Sequence, residues 1–148
     1  IKEDDYDILV WIKKGYRGAI SNPNMFSWVN CEDKTIKSIS VKKSLSNPYI
    51  DPLVIGTFTF LNKNIYINSL NKLIESNIKV NKEFYIDSMI NSAIELGYKC
   101  KLFEVEEFIC WGTPNELKTF EYWQKCFDKL ENHEYTFNRD NFFKSIKY

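Results

Sequence analysis

Apolar residues alternate with polar ones through Phe60, and from Ile67 onward they recur at every third or fourth position. A chain with that change of period has strands first and helices later, and it buries both only by stacking them in layers. Tyr6 to Ile12 reads as a buried strand by its β-branched and aromatic content. Met25 to Asn30 and Ile36 to Val41 read as two more strands, with the polar stretch Cys31 to Thr35 as the reversal between them. Loops from Lys13 to Asn24 and from Ser44 to Pro52 carry the glycines and prolines. Leu53 to Phe60 is a further strand with Gly56 at its middle, where glycine weakens a sheet unless a bulge, a close backbone or a ligand needs the space.

Two helical segments follow, one from the spacing of Ile67, Leu70, Leu73, Ile74 and Ile78, the other from Phe84, Ile86, Ile90, Ala93, Ile94 and Leu96. Gly97 is placed to end the second in a left-handed cap. Tyr98 to Val105 predicts a short strand. Thr113-Pro114-Asn115-Glu116 has the form of a capping box with proline at the first helical position. Leu117, Phe120, Trp123, Phe127 and Leu130 give that helix an apolar face, and Asn138 to Tyr148 predicts a last short helix. No repeat or linker divides the chain, so the expectation is one domain over residues 1–148, an α/β fold with a mixed sheet.

Composition removes several classes of function. A chain of 148 residues is one domain's worth and buries about two-thirds of its unfolded surface. Eleven Phe, nine Tyr and four Trp with a net charge of zero exclude disorder. The same balance leaves no excess of Lys and Arg to neutralise a phosphate backbone, so no nucleic-acid partner is expected. The apolar run Pro52 to Leu61 is too short to span a bilayer, and Ile1 to Asp5 is acidic where a secretory signal is basic and then apolar. The expected setting is the cytoplasm, without a membrane partner. Cys31, Cys100, Cys110 and Cys126 form no C-x-x-C pair, and the lone His133 is remote from them, which argues against zinc and for reduced thiols.

Motif chemistry is sparse. The chain has no G-x-G-x-x-G, phosphate loop, G-x-S-x-G or H-E-x-x-H. His133, in Glu131-Asn132-His133-Glu134, reads as a solvated residue at a helix end. Asp5-Tyr6-Asp7 has the spacing of an aspartate pair that holds magnesium or manganese with a nucleotide diphosphate, but here it enters a strand rather than leaving one. Lys42-Lys43 at a strand end has the charge to hold a phosphate, against the alternative of two solvated lysines entering a loop. Gly112-Thr113 at a helix start offers free amides and a helix dipole to an anion, although most helix starts bind nothing.

Taken in order, these segments carry a resemblance. Ile36-Lys37-Ser38-Ile39-Ser40-Val41-Lys42-Lys43-Ser44-Leu45-Ser46-Asn47 precedes Ile55-Gly56-Thr57-Phe58-Thr59-Phe60. Asn81-Lys82-Glu83-Phe84-Tyr85-Ile86 comes next, then a helix ending Glu95-Leu96-Gly97, then Trp111-Gly112-Thr113-Pro114-Asn115-Glu116-Leu117. The succession, from about Asp7 to about Phe127, resembles the C-terminal half of the sugar-phosphate nucleotidyltransferases, especially the branch serving capsule and lipopolysaccharide sugars. The resemblance implies a Rossmann-like three-layer fold with a mixed sheet, of which this chain is the sugar-binding half. It also implies an enzyme that joins a nucleoside triphosphate to a sugar phosphate, releasing pyrophosphate, with magnesium as cofactor.

The same resemblance assigns residues. Lys42 matches the lysine that grips the sugar phosphate in the family's E-K-P segment, with Lys43 beside it. Phe26-Ser27 matches a Tyr-Gly segment near the sugar, and Gly56 and Thr57 match the strand whose small residue lets the sugar approach the backbone. Glu83 matches a carboxylate that accepts sugar hydroxyls, and Gly112-Thr113 matches the turn beside the metal. Val41 stands in place of the E-K-P glutamate, and Cys110 in place of a magnesium-binding aspartate. The glycine-rich nucleotide loop and the main metal ligand are expected in an N-terminal half preceding Ile1. The chain alone is then expected to be inactive and to expose an unpaired edge or apolar face that a homodimer would cover. Two other readings remain: a non-catalytic binding or assembly domain, for which Val41 and Cys110 speak, and a metal-dependent glycosyltransferase using Asp5 and Asp7.

Overall fold

Strand β1 (Ile8–Lys13) buries Ile8, Val10 and Ile12 completely, as a strand covered on both faces must. The computed structural model describes residues 5–140. The chain folds as two units, Ile1–Phe108 and Ile109–Tyr148. In the first, β1 pairs antiparallel with β4 (Leu53–Phe60) and parallel with β5 (Cys100–Glu104). Strands β2 (Trp28–Glu32) and β3 (Thr35–Ser40) form a hairpin. Its loop is tighter than the expected reversal: Asp33 and Lys34 both have positive φ, 50° and 82°, which matches the twist of the flanking strands.

The expected Rossmann-like three-layer sheet is corrected here. The strands instead form a closed ring in the order β1-β4-β2-β3-β5. The hairpin bridges the two outer strands, meeting β4 through Trp28 and Leu53 and β5 through Thr35 and Lys101. Register shifts at Asn30/Cys31 in the hairpin and at Val10/Ile12 in the β1–β4 pair explain the closure, since bulges bend a strand and sharpen its twist. The architecture is therefore a mixed α/β one built on a five-stranded mixed sheet.

Helices α2 (Lys63–Ser76) and α3 (Ile86–Glu95) follow the short α1 (Arg17–Ser21) and pack on the sheet. The side chain of Asn62 caps α2 by accepting from the amides of Asn64 and Ile65 at 3.0 and 3.2 Å. The buried residues of α2 are Ile65, Ser69 and Leu73. This corrects part of the expected face: Leu73 is buried as expected, but Ile67 and Ile74 are 46% and 51% exposed, and Ile78 lies past the end of the helix. The helix is rotated so that the small Ser69, fully buried, faces inward. Helix α3 buries Ile90 and Ala93 as expected and leaves Phe84, Ile86 and Leu96 at the surface. Gly97, at φ 87°, ends it with the anticipated left-handed cap: its amide donates to Ile94 and that of Tyr98 donates to Ala93.

The main core joins Ile8, Val10, Ile12, Ile39, Ile90 and Cys100. A second, smaller core of Ala19, Trp28 and Leu53 is roofed by Tyr16, Phe26, Leu45 and Phe108. The second unit contains α4 (Pro114–Lys129), begun by the expected capping box, with Glu116 N–H to Thr113 Oγ1 at 3.2 Å and Thr113 N–H to Glu116 Oε2 at 3.0 Å. His133 is not merely solvated: its ring stacks on Phe127 at 4.9 Å. A 3-10 turn, Phe137–Arg139, stands where the last helix is expected to begin. Beyond residue 140 that expectation lies outside the described residues.

Gly56 is explained by a bulge. Val10 pairs with Phe58 and Ile12 with Val54, so Ile55, Gly56 and Thr57 together oppose Trp11. At φ 84° Gly56 occupies the left-handed region, while an added Cβ meets nothing within 4 Å. Gly56→Ala therefore isolates backbone strain, and it is expected to lower unfolding free energy by about 1–2 kcal/mol. Urea denaturation should show a lower midpoint with an unchanged slope.

Candidate functional site

A polar cluster forms where the loop after α1, the end of β3 and the start of α3 meet. Pro23–Met25 makes one 3-10 turn, held by Trp28 Nε1 donating to the Pro23 carbonyl at 2.8 Å. The turn is tied to the end of β3 at two points. Asn24 Oδ1 accepts from the Ser44 amide at 3.1 Å, and the Lys42 ammonium donates to the Met25 carbonyl. Ser40 Oγ donates to the Lys43 carbonyl at 2.7 Å, closing the Ser40–Lys43 turn, within which Lys42 is left-handed at φ 54°. On its other side the ammonium lies 5.6 Å from the centre of the Tyr85 ring.

The α3 side of the cluster is built by the turn before the helix. Asn81 and Lys82, at φ 50° and 67°, let Val80 and Glu83 exchange both backbone hydrogen bonds, at 2.9 and 3.0 Å. Tyr85, at the helix N-cap, donates its phenol to Glu83 Oε2 at 3.0 Å. Asp87, in the first helical turn, accepts a hydrogen bond from Ser27 Oγ. Ser27 is only 2% exposed, and its carbonyl accepts from the Val54 amide at 2.9 Å, which welds the loop to β4.

Burial pushes the Asp87 carboxyl above its ordinary value, opposed by the Ser27 hydrogen bond and the positive charge of Lys42. The Tyr85 phenol is also raised, first by its hydrogen bond to Glu83. The Lys42 ammonium touches a carbonyl and an aromatic ring, and the Asp87 carboxyl lies close enough to feel its charge. The exposed Glu83 carboxylate is an acceptor suited to hydroxyl groups.

Of the residues singled out from the sequence, the structure thus gathers Lys42, Ser27 and Glu83 through Tyr85 and Asp87. Lys43 contributes its carbonyl to the turn and exposes its side chain. Phe26 packs edge-on to Tyr16 in the second core, with ring centres 6.1 Å apart. Gly56 and Thr57 stand in the β4 bulge; Gly56 is two residues past Val54, about 7 Å along the strand from the Ser27 contact. Gly112 and Thr113 belong to the second unit. Their amides are already engaged, Gly112 by Cys110 Sγ at 3.4 Å and Thr113 by Glu116.

Val41 sits on another face. With Ile39 it lines a cavity of about 170 Å³ between β3, α2 and α3, into which Ser88 and Ser92 also face. Tyr85 and Asp87 were not legible as site residues: an acidic residue in a first helical turn is explained by the helix dipole alone. The one available signal is that Asp87 follows Glu83 by one helical turn's spacing.

Among the described residues no group of three or more His, Cys, Asp or Glu is arranged to hold a metal ion. Asp5 accepts from Lys101, whose hydrogen bond and charge hold its carboxyl below the usual range, and Asp7 accepts from the Lys99 amide at 2.7 Å. These residues do not fit a magnesium centre. All four cysteines are free thiols, and burial, with Asp7 nearby, pushes Cys100 up to about 12, which makes it unreactive. No helix among the described residues is long and apolar enough to cross a membrane.

The fold places the chain among proteins with a nucleotidyltransferase-like architecture. The structure is similar to a nucleoside-diphosphate-sugar pyrophosphorylase from Vibrio cholerae RC9, with TM-score 0.61 and 20% identity over 80% of this chain and 47% of that one. It is also similar to the inositol-1-phosphate CTP transferase from T. maritima, with TM-score 0.54 and 18% identity over 88% of this chain and 49% of that one. The chain thus spans about half the length of each. No protein-family model matches the chain, and no curated protein matches it in sequence.

Asp87→Asn keeps an acceptor for Ser27 and removes the charge. Because the folded carboxyl is raised above its ordinary value of 3.8, its favourable contribution to stability is complete below that value and is lost as pH rises through the folded pKa. The asparagine variant is expected to be at least as stable as wild type at pH 7 and to lose this part of the pH dependence. Thermal melts from about pH 4 to pH 7 check it; a steeper decline in the variant would contradict the burial argument.

Proposed function

We propose that the chain is the sugar-phosphate-binding part of a nucleotidyltransferase, joining a nucleoside triphosphate to a sugar phosphate to give a nucleotide sugar and pyrophosphate. The observation that carries this reading is Lys42, seated on the Met25 carbonyl beside the Tyr85 ring in a cluster with Glu83, on a fold shared with two nucleotidyltransferases. Their substrates, a nucleoside diphosphate sugar and inositol 1-phosphate with CTP, both contain a phosphate joined to a polyol. Catalysis of such a transfer is mostly positioning and charge neutralisation. In this reading Lys42 neutralises the phosphate of the sugar phosphate, and Glu83 accepts from its hydroxyls. The open space over Gly56 admits the ring close to the backbone. Magnesium and the nucleotide would be held outside this chain's described residues. The setting we infer is cytoplasmic supply of a nucleotide sugar for cell-surface polysaccharide, consistent with the free thiols.

Lys42 itself provides the test, because it is a non-glycine residue in the left-handed region, where a strain of about 1 kcal/mol is retained at functional positions. Lys42→Gly is expected to be as stable as wild type or more so, and to weaken binding of α-D-glucose 1-phosphate by about tenfold or more in titration calorimetry. Wild-type affinity in this variant would remove Lys42 from the site and the reading with it.

A non-catalytic binding domain is the second reading. It is favoured by Val41, which replaces the family glutamate and lines the α2–α3 cavity with Ile39. Pyrophosphate release by the natural protein with nucleoside triphosphates and sugar phosphates separates the two. Binding of glucose 1-phosphate through Lys42 without any such turnover would select the binding domain.

A further inference from the structure

We propose that Asp87 and Ser27 are positioning residues for Lys42: the Asp87 carboxylate fixes the Ser27 hydroxyl, and this fixes the Met25 carbonyl that holds the Lys42 ammonium. The chain of contacts is continuous. Ser27 Oγ donates to Asp87 on α3, the Ser27 carbonyl is bound by Val54 on β4, and two residues earlier the Met25 carbonyl accepts from Lys42. Buried at Ser27 and only partly exposed at Asp87 and Lys42, it links the helix start to the charge that meets solvent.

The need for such a device follows from the lysine side chain. Its four-carbon stem has many rotamers, and restricting it costs conformational free energy. A site that grips a phosphate with a free lysine loses that energy at each binding event, whereas a lysine already seated between a carbonyl and a ring has lost it on folding. Seating works only if the carbonyl is itself immobile. Met25 closes a short 3-10 turn with an exposed side chain, so its own packing cannot hold the carbonyl in place. The Ser27–Asp87 bond adds an anchor on α3 to those that Trp28 and Asn24 give the turn.

The inference rests on the reading of Lys42 as an anion grip, and its test does not need the ligand. Acylation needs an amine free to reach the reagent, so one seated on the Met25 carbonyl and against the Tyr85 ring reacts slowly. The wild-type chain and the variants Ser27→Ala, Asp87→Ala and Asp87→Asn would be treated with acetic anhydride, and Lys42 and Lys43 acetylation compared by mass spectrometry. The exposed neighbour Lys43 serves as internal reference.

In wild type Lys42 is expected to react about fivefold more slowly than Lys43, the equivalent of one ordinary hydrogen bond. Ser27→Ala and Asp87→Ala should bring the two rates together, while Asp87→Asn, which can still accept from Ser27, should keep most of the difference. Equal rates in wild type would overturn the proposal, as would an unchanged Lys42 in both alanine variants. Equal acceleration in Asp87→Asn and Asp87→Ala would overturn it too, by showing that charge rather than the hydrogen bond acts. Glucose 1-phosphate affinity measured on the same four proteins separates the two claims. If none binds while the expected order of reactivities holds, positioning stands and the sugar-phosphate reading falls.

Discussion

The pairing of β1 on both sides, antiparallel to β4 and parallel to β5, is the constraint from which the first unit follows. A strand whose Ile8, Val10 and Ile12 are wholly buried must have its backbone groups satisfied by neighbours, because no water reaches them. Parallel pairing with β5 requires a long connection, and the intervening segment supplies it with two helices that cover one face of the sheet. The β2–β3 hairpin then completes the ring between the two outer strands. Removing apolar volume from β1 would strike every one of these contacts at once, since its residues sit in the core shared by strands and helices.

The candidate site is placed by that frame rather than by any local motif. Three elements end near one another: the loop that leads into β2, the turn that leaves β3, and the N-terminus of α3. Three non-glycine residues in the left-handed region, Lys42, Asn81 and Lys82, lie in the two turns flanking it. Strain of that kind persists only where surrounding contacts over-determine the backbone. Here those contacts are the Val80–Glu83 exchange, the Ser40–Lys43 closure and the Asn24–Ser44 bond. Asp87 adds a second tension, a carboxylate kept in a partly buried place by a hydroxyl and a nearby ammonium. Both tensions surround Lys42, and none of the left-handed non-glycine residues falls in the centre of β1.

Much of the local structure was legible because it depends on short-range chemistry. The capping box at Thr113 and Glu116 forms as its spacing requires, and Gly97 ends α3 because it adopts φ 87° without a steric cost. Gly56 signalled a bulge, a close approach or a ligand, and the structure contains the bulge. The site was legible in part. Lys42, Ser27 and Glu83 were visible as residue types in a recognisable order, while Tyr85 and Asp87, which join them, carry no mark that separates them from ordinary helix-start residues. The face of α2 was misread in part because hydrophobic spacing allowed two stripes, one through Ile67 and Ile74 and one through Ile65 and the expected Leu73. Only the packing of Ser69 inward selects between them.

The sequence by itself determined the order of the strands and of the main helices, the caps, the glycine turns and the succession of Ser27, Lys42 and Glu83 along the chain. Those features depend on residues within a turn or two of one another. The tertiary structure decided that the sheet closes, that α2 turns Ile67 away from the core, and that Ser27 meets Asp87 across sixty positions of chain. Each depends on how twist accumulates over several strands and on which groups are left to pair once the core has formed, and neither quantity is written in any local stretch of residues.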